Sequence, residues 1–188
     1  EVVQVLLDKG ALVDEKDEDG ITALMEASRC GNTEVVRLLL DRGAMIDEMD
    51  HYEEGWTALM HASMYGDTKV VQLLLDKAAS LEKKDQQGMN ALMLASKGGH
   101  TELVQLLLDA GALLNEKDTD GYTALMLASM SRRVDVDGHT SLEVVQKRLL
   151  QDGDVVCLHK ELLWSRSHKE VVMLLVHKGA SNHRTRRY

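Results

Sequence analysis

The residue types that could carry metal chemistry occur in this chain without the neighbours that such chemistry requires. His100 and His168 each stand two residues before a glutamate, the HxE spacing that zinc-dependent deaminases use. Those sites also need a PCxxC segment, and the chain contains no proline and no CxxC pair. Both HxE segments lie where a helix is predicted to start. The sequence therefore predicts no metal centre.

Other candidate chemistry is equally incomplete. The acidic segment DEKDEDG at 14–20 fails the spacing of an EF-hand calcium loop, and a solvated loop explains it better. The pair Gly98-Gly99 lacks the surrounding pattern of a phosphate-binding loop, and Cys30 has no histidine nearby in sequence to activate it. We expect a protein that is not an enzyme and that binds no cofactor.

Composition limits which partners and which cellular compartment we expect for the protein. The 188 residues carry a formal net charge of −9, which disfavours nucleic acid and anionic membrane surfaces as partners. No apolar run approaches the ~20 residues of a membrane span. Two distant cysteines, Cys30 and Cys157, are typical of a reducing compartment, so we expect an intracellular and cytoplasmic protein. Because the chain begins inside an apolar pattern, we expect it to be an excerpt of a longer protein.

One phrase recurs along the chain at nearly constant intervals. The glycines Gly20, Gly55, Gly88 and Gly121 are spaced by 35, 33 and 33 residues. Each is followed by TALM or, once, NALM, and then by an Ala-Ser pair. A second phrase of the type EVVRLLLDRGA occupies residues 1–11, 34–44, 69–79 and 102–112. Such self-similarity indicates an array of structural units and not a repeated reaction centre.

Each unit is predicted to contain two short helices and a polar connection. Thr22 can cap the first helix and Asn32 the second, and Gly43 ends the second helix in a left-handed conformation. The polar residues 47–55 then form a turn or short hairpin, here called a finger. Ala78 replaces the glycine at the end of the second helix in one unit, where a left-handed backbone would cost it about 1 kcal/mol. Helices this short are stable only when stacked on their neighbours.

The segment DEDGITALMEASRCGNTEVVRLLLDRGAMID at 17–47 resembles an ankyrin repeat. The resemblance covers residues 1–131 closely and 167–183 again. It implies an all-α solenoid of stacked helix-turn-helix units joined by β-turn or hairpin fingers. The usual T-P-L-H phrase is T-A-L-M here, so a rigid proline and a histidine that bonds between fingers are both missing.

The repeat pattern predicts six segments. Residues 1–16 form a truncated repeat with only the outer helix, 17–49 a repeat, 50–84 a repeat with a two-residue finger insertion, 85–117 a repeat, 118–153 a repeat with an irregular loop, and 154–188 a capping repeat with a basic tail. Within 132–167 a rival register remains open, in which the helix from residue 141 is an inner one.

The resemblance also implies a concave partner-binding side made of finger tips and the ends of the inner helices. In that register this side contains Ile21, Arg29, Tyr52, Glu53, Glu54, Trp56, Met64, Tyr65, Met89, Tyr122 and Met130. We expect none of these aromatic side chains in the Leu/Val core, although packing of finger against finger is the alternative. Tyr52 and Trp56, with the rim of Glu53 and Glu54, predict a protein partner that offers a basic segment.

Taken together, the sequence predicts a non-enzymatic protein–protein interaction module, an intracellular scaffold or adaptor. The alternative is a regulatory array of a larger enzyme, ubiquitin ligase or ion channel. The resemblance further implies that Asn115 could be a substrate of an asparaginyl hydroxylase. The alternative is a turn residue whose side chain hydrogen-bonds its own backbone.

Overall fold

A computed structural model describes residues 1–51 and 55–130, and in those residues it contains eight short helices and no strand. They are α1 (Val2–Asp8), α2 (Ala23–Arg29), α3 (Thr33–Asp41), α4 (Ala58–Tyr65), α5 (Thr68–Asp76), α6 (Ala91–Gly98), α7 (Thr101–Asp109) and α8 (Ala124–Met130). The predicted all-α repeat architecture is confirmed.

The helices form two layers. The inner helices α2, α4, α6 and α8 pack side by side in that order, while α3, α5 and α7 each pack on the inner helix of their own repeat and on each other. Small residues such as Ala62 and Ala95, both fully buried, let the inner helices approach closely. Leucines from both layers fill the space between them, including Leu59 of the inner layer and Leu39, Leu74 and Leu107 of the outer layer.

The recurring TALM phrase is the start of an inner helix, as predicted. The side-chain oxygen of the residue before the helix accepts a hydrogen bond from the backbone N–H three residues later, which satisfies a donor that the helix leaves free. The distances are 3.3 Å for Thr22 to Met25, 3.3 Å for Thr57 to Met60, 3.0 Å for Asn90 to Met93 and 3.4 Å for Thr123 to Met126.

An aspartate at the base of each of the four fingers in the described residues holds its turn together. Asp17 Oδ1 accepts from the backbone N–H of Ile21 at 2.8 Å, and Asp118 Oδ1 accepts from that of Tyr122 at 2.7 Å. Asp50 and Asp85 play the same part for the second and third fingers. This short-range pattern is one that aspartate favours in turns. In the part of the chain that the structure describes, the fingers contain no strand pairing beyond one isolated bridge, between Lys16 and Thr22.

Successive fingers are tied to one another by polar contacts. The backbone N–H of His51 donates to the carbonyl of Asp19 at 2.7 Å. Ion pairs join Lys16 of the first finger to Glu48 of the second, and Lys84 of the third to Glu116 of the fourth. These contacts set the register between neighbouring repeats.

Some predictions concern residues outside the described part of the chain. They are the finger tip at 52–54, the latter part of the repeat at 118–153, the capping repeat at 154–188 and the choice of register within 132–167. The six segment boundaries therefore stay a prediction.

The end of α5 has the backbone conformation that the sequence suggested. Ala78 has φ = +64°, and the glycines at the same position after α3 and α7, Gly43 and Gly111, have φ = +84° and +97°. Among the described residues Ala78 is the sole non-glycine with a positive φ. The Cβ atom of alanine is strained in this region, so the second repeat carries a local cost that its neighbours lack.

Replacing Ala78 by glycine should therefore stabilise the protein by about 1 kcal/mol and raise the midpoint of thermal unfolding. The reverse change, Gly43→Ala, serves as the matched control. A Cβ atom at Gly43 would meet no other atom within 4 Å, so its cost comes from the backbone alone. An unchanged or lower midpoint for Ala78→Gly would contradict this explanation.

Candidate partner-binding surface

The predicted contact residues divide into three groups by exposure. Arg29, Tyr65 and Met130 are exposed, Ile21, Met64 and Tyr122 are half-buried, and Trp56 and Met89 are buried. Tyr52, Glu53 and Glu54 lie outside the described residues. The structure therefore brings only part of the predicted set to the surface.

The prediction that no aromatic side chain of this set lies in the core is wrong for Trp56. Its side chain is 8% exposed, and the indole Nε1–H donates to Asp85 Oδ2 at 2.9 Å. The ring also meets His61 edge to face, with 5.3 Å between centroids. Trp56 thus joins the second finger to the base of the third.

Met89, also expected at the surface, is buried for a related reason. Ile21, Trp56, Met89 and Tyr122 all follow the glycine of their finger, and each donates its backbone N–H to the finger aspartate. All four side chains pack in or against the hydrophobic core. This register position supports the base of the finger and not its outer surface.

A buried pair of polar residues, which the sequence analysis missed, supports Trp56. His61 Nε2 lies 2.7 Å from Asp50 Oδ2, and because a carboxylate only accepts, the histidine donates. Asp50 Oδ1 also accepts from the backbone N–H of Trp56 at 3.1 Å. His61 Nδ1 has no hydrogen-bond partner within the described residues.

Comparing equivalent positions of the repeats in the sequence could have revealed this pair. His61 stands where the next two repeats have Leu94 and Leu127. Met49 stands where the other fingers have a lysine. In the first and third fingers that lysine, Lys16 or Lys84, forms an ion pair with the next finger, and the second finger has no such lysine. The tryptophan-to-aspartate bond takes the place of that ion pair.

Exposed and half-buried residues form a row along the ends of the inner helices. Arg29, Met64, Lys97 and Met130 occupy the same register position on α2, α4, α6 and α8. We call these four residues, with Glu26 and Tyr65, the inner-helix surface.

The α2 end of this surface is held in place by a charged pair. The guanidinium of Arg29 donates to both carboxylate oxygens of Glu26, at 3.0 and 2.6 Å. This hydrogen bonding keeps the pKa of Glu26 below its usual range, so the pair stays charged at neutral pH. Glu26 likewise raises the pKa of Arg29, and a hydrogen bond with the Tyr65 side chain adds to that shift. The exposed Tyr65 side chain therefore interacts with an oriented cation.

Charge on the fingers is unevenly distributed. The first finger carries five carboxylates and one lysine between residues 14 and 19, and that lysine, Lys16, is paired with Glu48. The third finger offsets its acids with Lys83 and Lys84. Compared with the third finger, the first thus presents the stronger negative charge.

Two further features of the described residues bear on chemistry. No group of three or more histidine, cysteine or acidic side chains there could hold a metal ion, and no helix there is long and apolar enough to cross a membrane. Cys30 is exposed, with its Sγ 3.6 Å from Glu26 Oε1. Asn115 is exposed, and its hydroxylation stays a prediction.

Comparison with known proteins supports the repeat assignment. A family model described as ankyrin repeats (3 copies) matches residues 1–85 and 78–136. No curated protein matches the chain. The family match spans all eight helices.

The buried position of Trp56 makes a testable prediction about stability. Trp56→Phe keeps an aromatic ring but removes the N–H that satisfies Asp85, so it should destabilise the protein by about 1–3 kcal/mol. Urea unfolding measures the change. The control is Tyr65→Phe on the exposed surface, which should change stability by less than about 0.5 kcal/mol. Equal, small effects of the two substitutions would show that the bond to Asp85 does not stabilise the fold.

Proposed function

Because the chain belongs to the ankyrin repeat family, we propose that it is a non-enzymatic scaffold or adaptor that binds a partner protein through the inner-helix surface. Ankyrin repeats are generally protein–protein interaction modules. The observation that carries the proposal is the row formed by the exposed Arg29, Tyr65, Lys97 and Met130 and the half-buried Met64 along the inner helices α2, α4, α6 and α8.

The residue types on this surface favour protein recognition. Tyrosine, methionine and arginine are enriched at protein interfaces, and tyrosine and arginine also at hot spots. Tyr65 is 52% exposed and Met130 is exposed further still, so both offer apolar area that a partner can bury. Glu26 already orients Arg29 through two hydrogen bonds, which lowers the entropy that binding would otherwise cost.

The partner segment that fits best is basic. The chain carries a net charge of −9, and the first finger contributes a concentrated group of carboxylates beside the repeats that hold Arg29 and Tyr65. The negative electrostatic field of these carboxylates accelerates association with a positively charged partner, and it weakens as the salt concentration increases.

Tyr52, Glu53 and Glu54 belong to the proposed contact set as well. Trp56 leaves that set, because its side chain is occupied within the fold.

Cys30 supports a proposal about the compartment in which the protein works. Cys30 is an exposed free thiol, which suits a reducing intracellular environment better than an oxidising one. We propose a cytoplasmic location on that ground.

Capture of partners from the source cells, with the wild-type protein and variants as bait, tests the proposal. Tyr65→Ala should weaken binding of the captured partner by about 2 kcal/mol, roughly a 30-fold rise in Kd, because it removes the central exposed aromatic group. Isothermal titration calorimetry with the purified partner measures the change.

The matched control is Lys69→Ala, an exposed residue on the outer helix α5. It should leave the affinity within about twofold of wild type, and both variants should keep the wild-type unfolding midpoint. A partner whose affinity falls with Lys69→Ala and not with Tyr65→Ala would place the binding surface on the outer layer, contrary to this proposal.

A further inference from the structure

A groove of about 490 Å³ lies between the loops that follow the outer helices α5 and α7. Its lining includes Ser80, Leu81 and Glu82 from the first of these loops and Leu113 from the second. None of its lining residues belongs to the inner-helix surface. The volume falls in the range of pockets that bind small groups.

The groove opens where the loop after α5 departs from the repeat pattern. At the two preceding junctions, an aspartate ties one loop to the next. Asp14 Oδ1 accepts from the backbone N–H of Met45 at 2.8 Å, and Asp47 Oδ1 accepts from that of Ser80 at 2.9 Å. Glu82 occupies the next equivalent position, and within the described residues it makes no such bond to Leu113. The backbone hydrogen bond that joins the loops at the two preceding junctions is therefore missing here, and the Lys84–Glu116 ion pair is what links these two loops.

A small residue leaves further room at the same place. Ser80 occupies the position at which the other loops carry the exposed apolar residues Leu12, Met45 and Leu113. Two substitutions relative to the repeat, at positions 80 and 82, thus coincide at one junction. They account for the space between the loops.

Asn90 lines the groove with a hydrogen-bond donor that the fold does not use. Asn90 is only 3% exposed, and its Oδ1 accepts the capping hydrogen bond from the backbone N–H of Met93. Its Nδ2 donates to no group among the described residues. The equivalent residues Thr22, Thr57 and Thr123 make the same cap without an amide nitrogen. The Nδ2 atom is not itself fully buried, so its N–H groups are open to an acceptor that enters the groove.

The walls of the groove combine apolar surface with negative charge. Leu81 is half-buried, and Leu113 is 56% exposed. Lys84 is paired with Glu116, whereas Glu82 is exposed and has no ion-pair partner in the described residues. The rim therefore has one carboxylate in excess, which favours a cation nearby.

We propose that this groove binds an extended segment of a partner protein, with one aliphatic side chain flanked by lysine or arginine. The aliphatic side chain packs against Leu81 and Leu113. A main-chain carbonyl of the segment accepts a hydrogen bond from Asn90 Nδ2, and a flanking cation lies near Glu82. The site is separate from the inner-helix surface, so the protein holds two binding sites and not one.

A titration followed by nuclear magnetic resonance tests the proposal directly. The probe is the capped peptide acetyl-Lys-Leu-Lys-amide, and the signals observed are the Asn90 side-chain amide and the Leu113 methyl groups. We expect saturable shifts with a Kd on the order of millimolar, as suits a ligand of this size. The peptide acetyl-Lys-Ser-Lys-amide should bind at least about fivefold more weakly, because it lacks the aliphatic side chain.

Matched variants separate the groove from general effects. Asn90→Thr keeps the helix cap that three other repeats already make with threonine, and it should raise the Kd about fivefold or more by removing the amide donor. Leu113→Ser should do the same, whereas Leu12→Ser, at the equivalent exposed position of the first loop, should bind as wild type does. Tyr65→Ala should also bind this peptide as wild type does, whatever its effect on the inner-helix surface.

Several outcomes would overturn the proposal. They are shifts that do not saturate, equal affinity for the leucine and serine peptides, or wild-type affinity in both Asn90→Thr and Leu113→Ser. If Asn90→Thr lowers the unfolding midpoint, the comparison of Leu113→Ser with Leu12→Ser decides, since both residues are exposed and contribute little to the core.

Discussion

The structure depends on one constraint: helices of seven to nine residues cannot remain folded unless the next repeat covers their apolar faces. The inner helices meet this constraint with a line of alanine and serine, which lets each helix pack closely on the next. The outer helices meet it with leucines such as Leu39, Leu74 and Leu107. Stability is then close to a sum of contacts between neighbours, as in other repeat proteins.

The fingers show how the same junction can be secured by different chemistry. Lysine–glutamate pairs join the first finger to the second and the third to the fourth. Between the second and third, the bond from Trp56 to Asp85 replaces them, supported by the buried pair of Asp50 and His61. An aromatic residue that was predicted to contact a partner thus joins neighbouring repeats, and the partner contacts that we propose are exposed side chains such as Tyr65.

How much the sequence predicts depends on the distance over which the responsible interaction acts. Helix starts such as Thr22 and the left-handed conformation of Ala78 follow from residues a few positions apart, and both were predicted correctly. The burial of Trp56 was not, because tryptophan is common both in interfaces and in cores, and its partner Asp85 lies 29 residues away. The groove beside Asn90 also escaped prediction, since it arises between loops more than thirty residues apart. Tyr65 and Arg29 were predicted at the surface and are exposed there, while their contact with a partner is a proposal.

The central claim is that each repeat is stabilised by its neighbours. Native-state hydrogen exchange of the inner helices tests this claim most directly. Helices α4 and α6 are covered by inner helices on both sides, whereas α2 contacts only α4 among the described inner helices and leaves Ala23 and Glu26 exposed. Local opening should therefore require less free energy in α2 than in α4 and α6, which should exchange together and most slowly. Equal protection of α2, α4 and α6 would contradict stabilisation by nearest neighbours and would show that the array unfolds as a single unit.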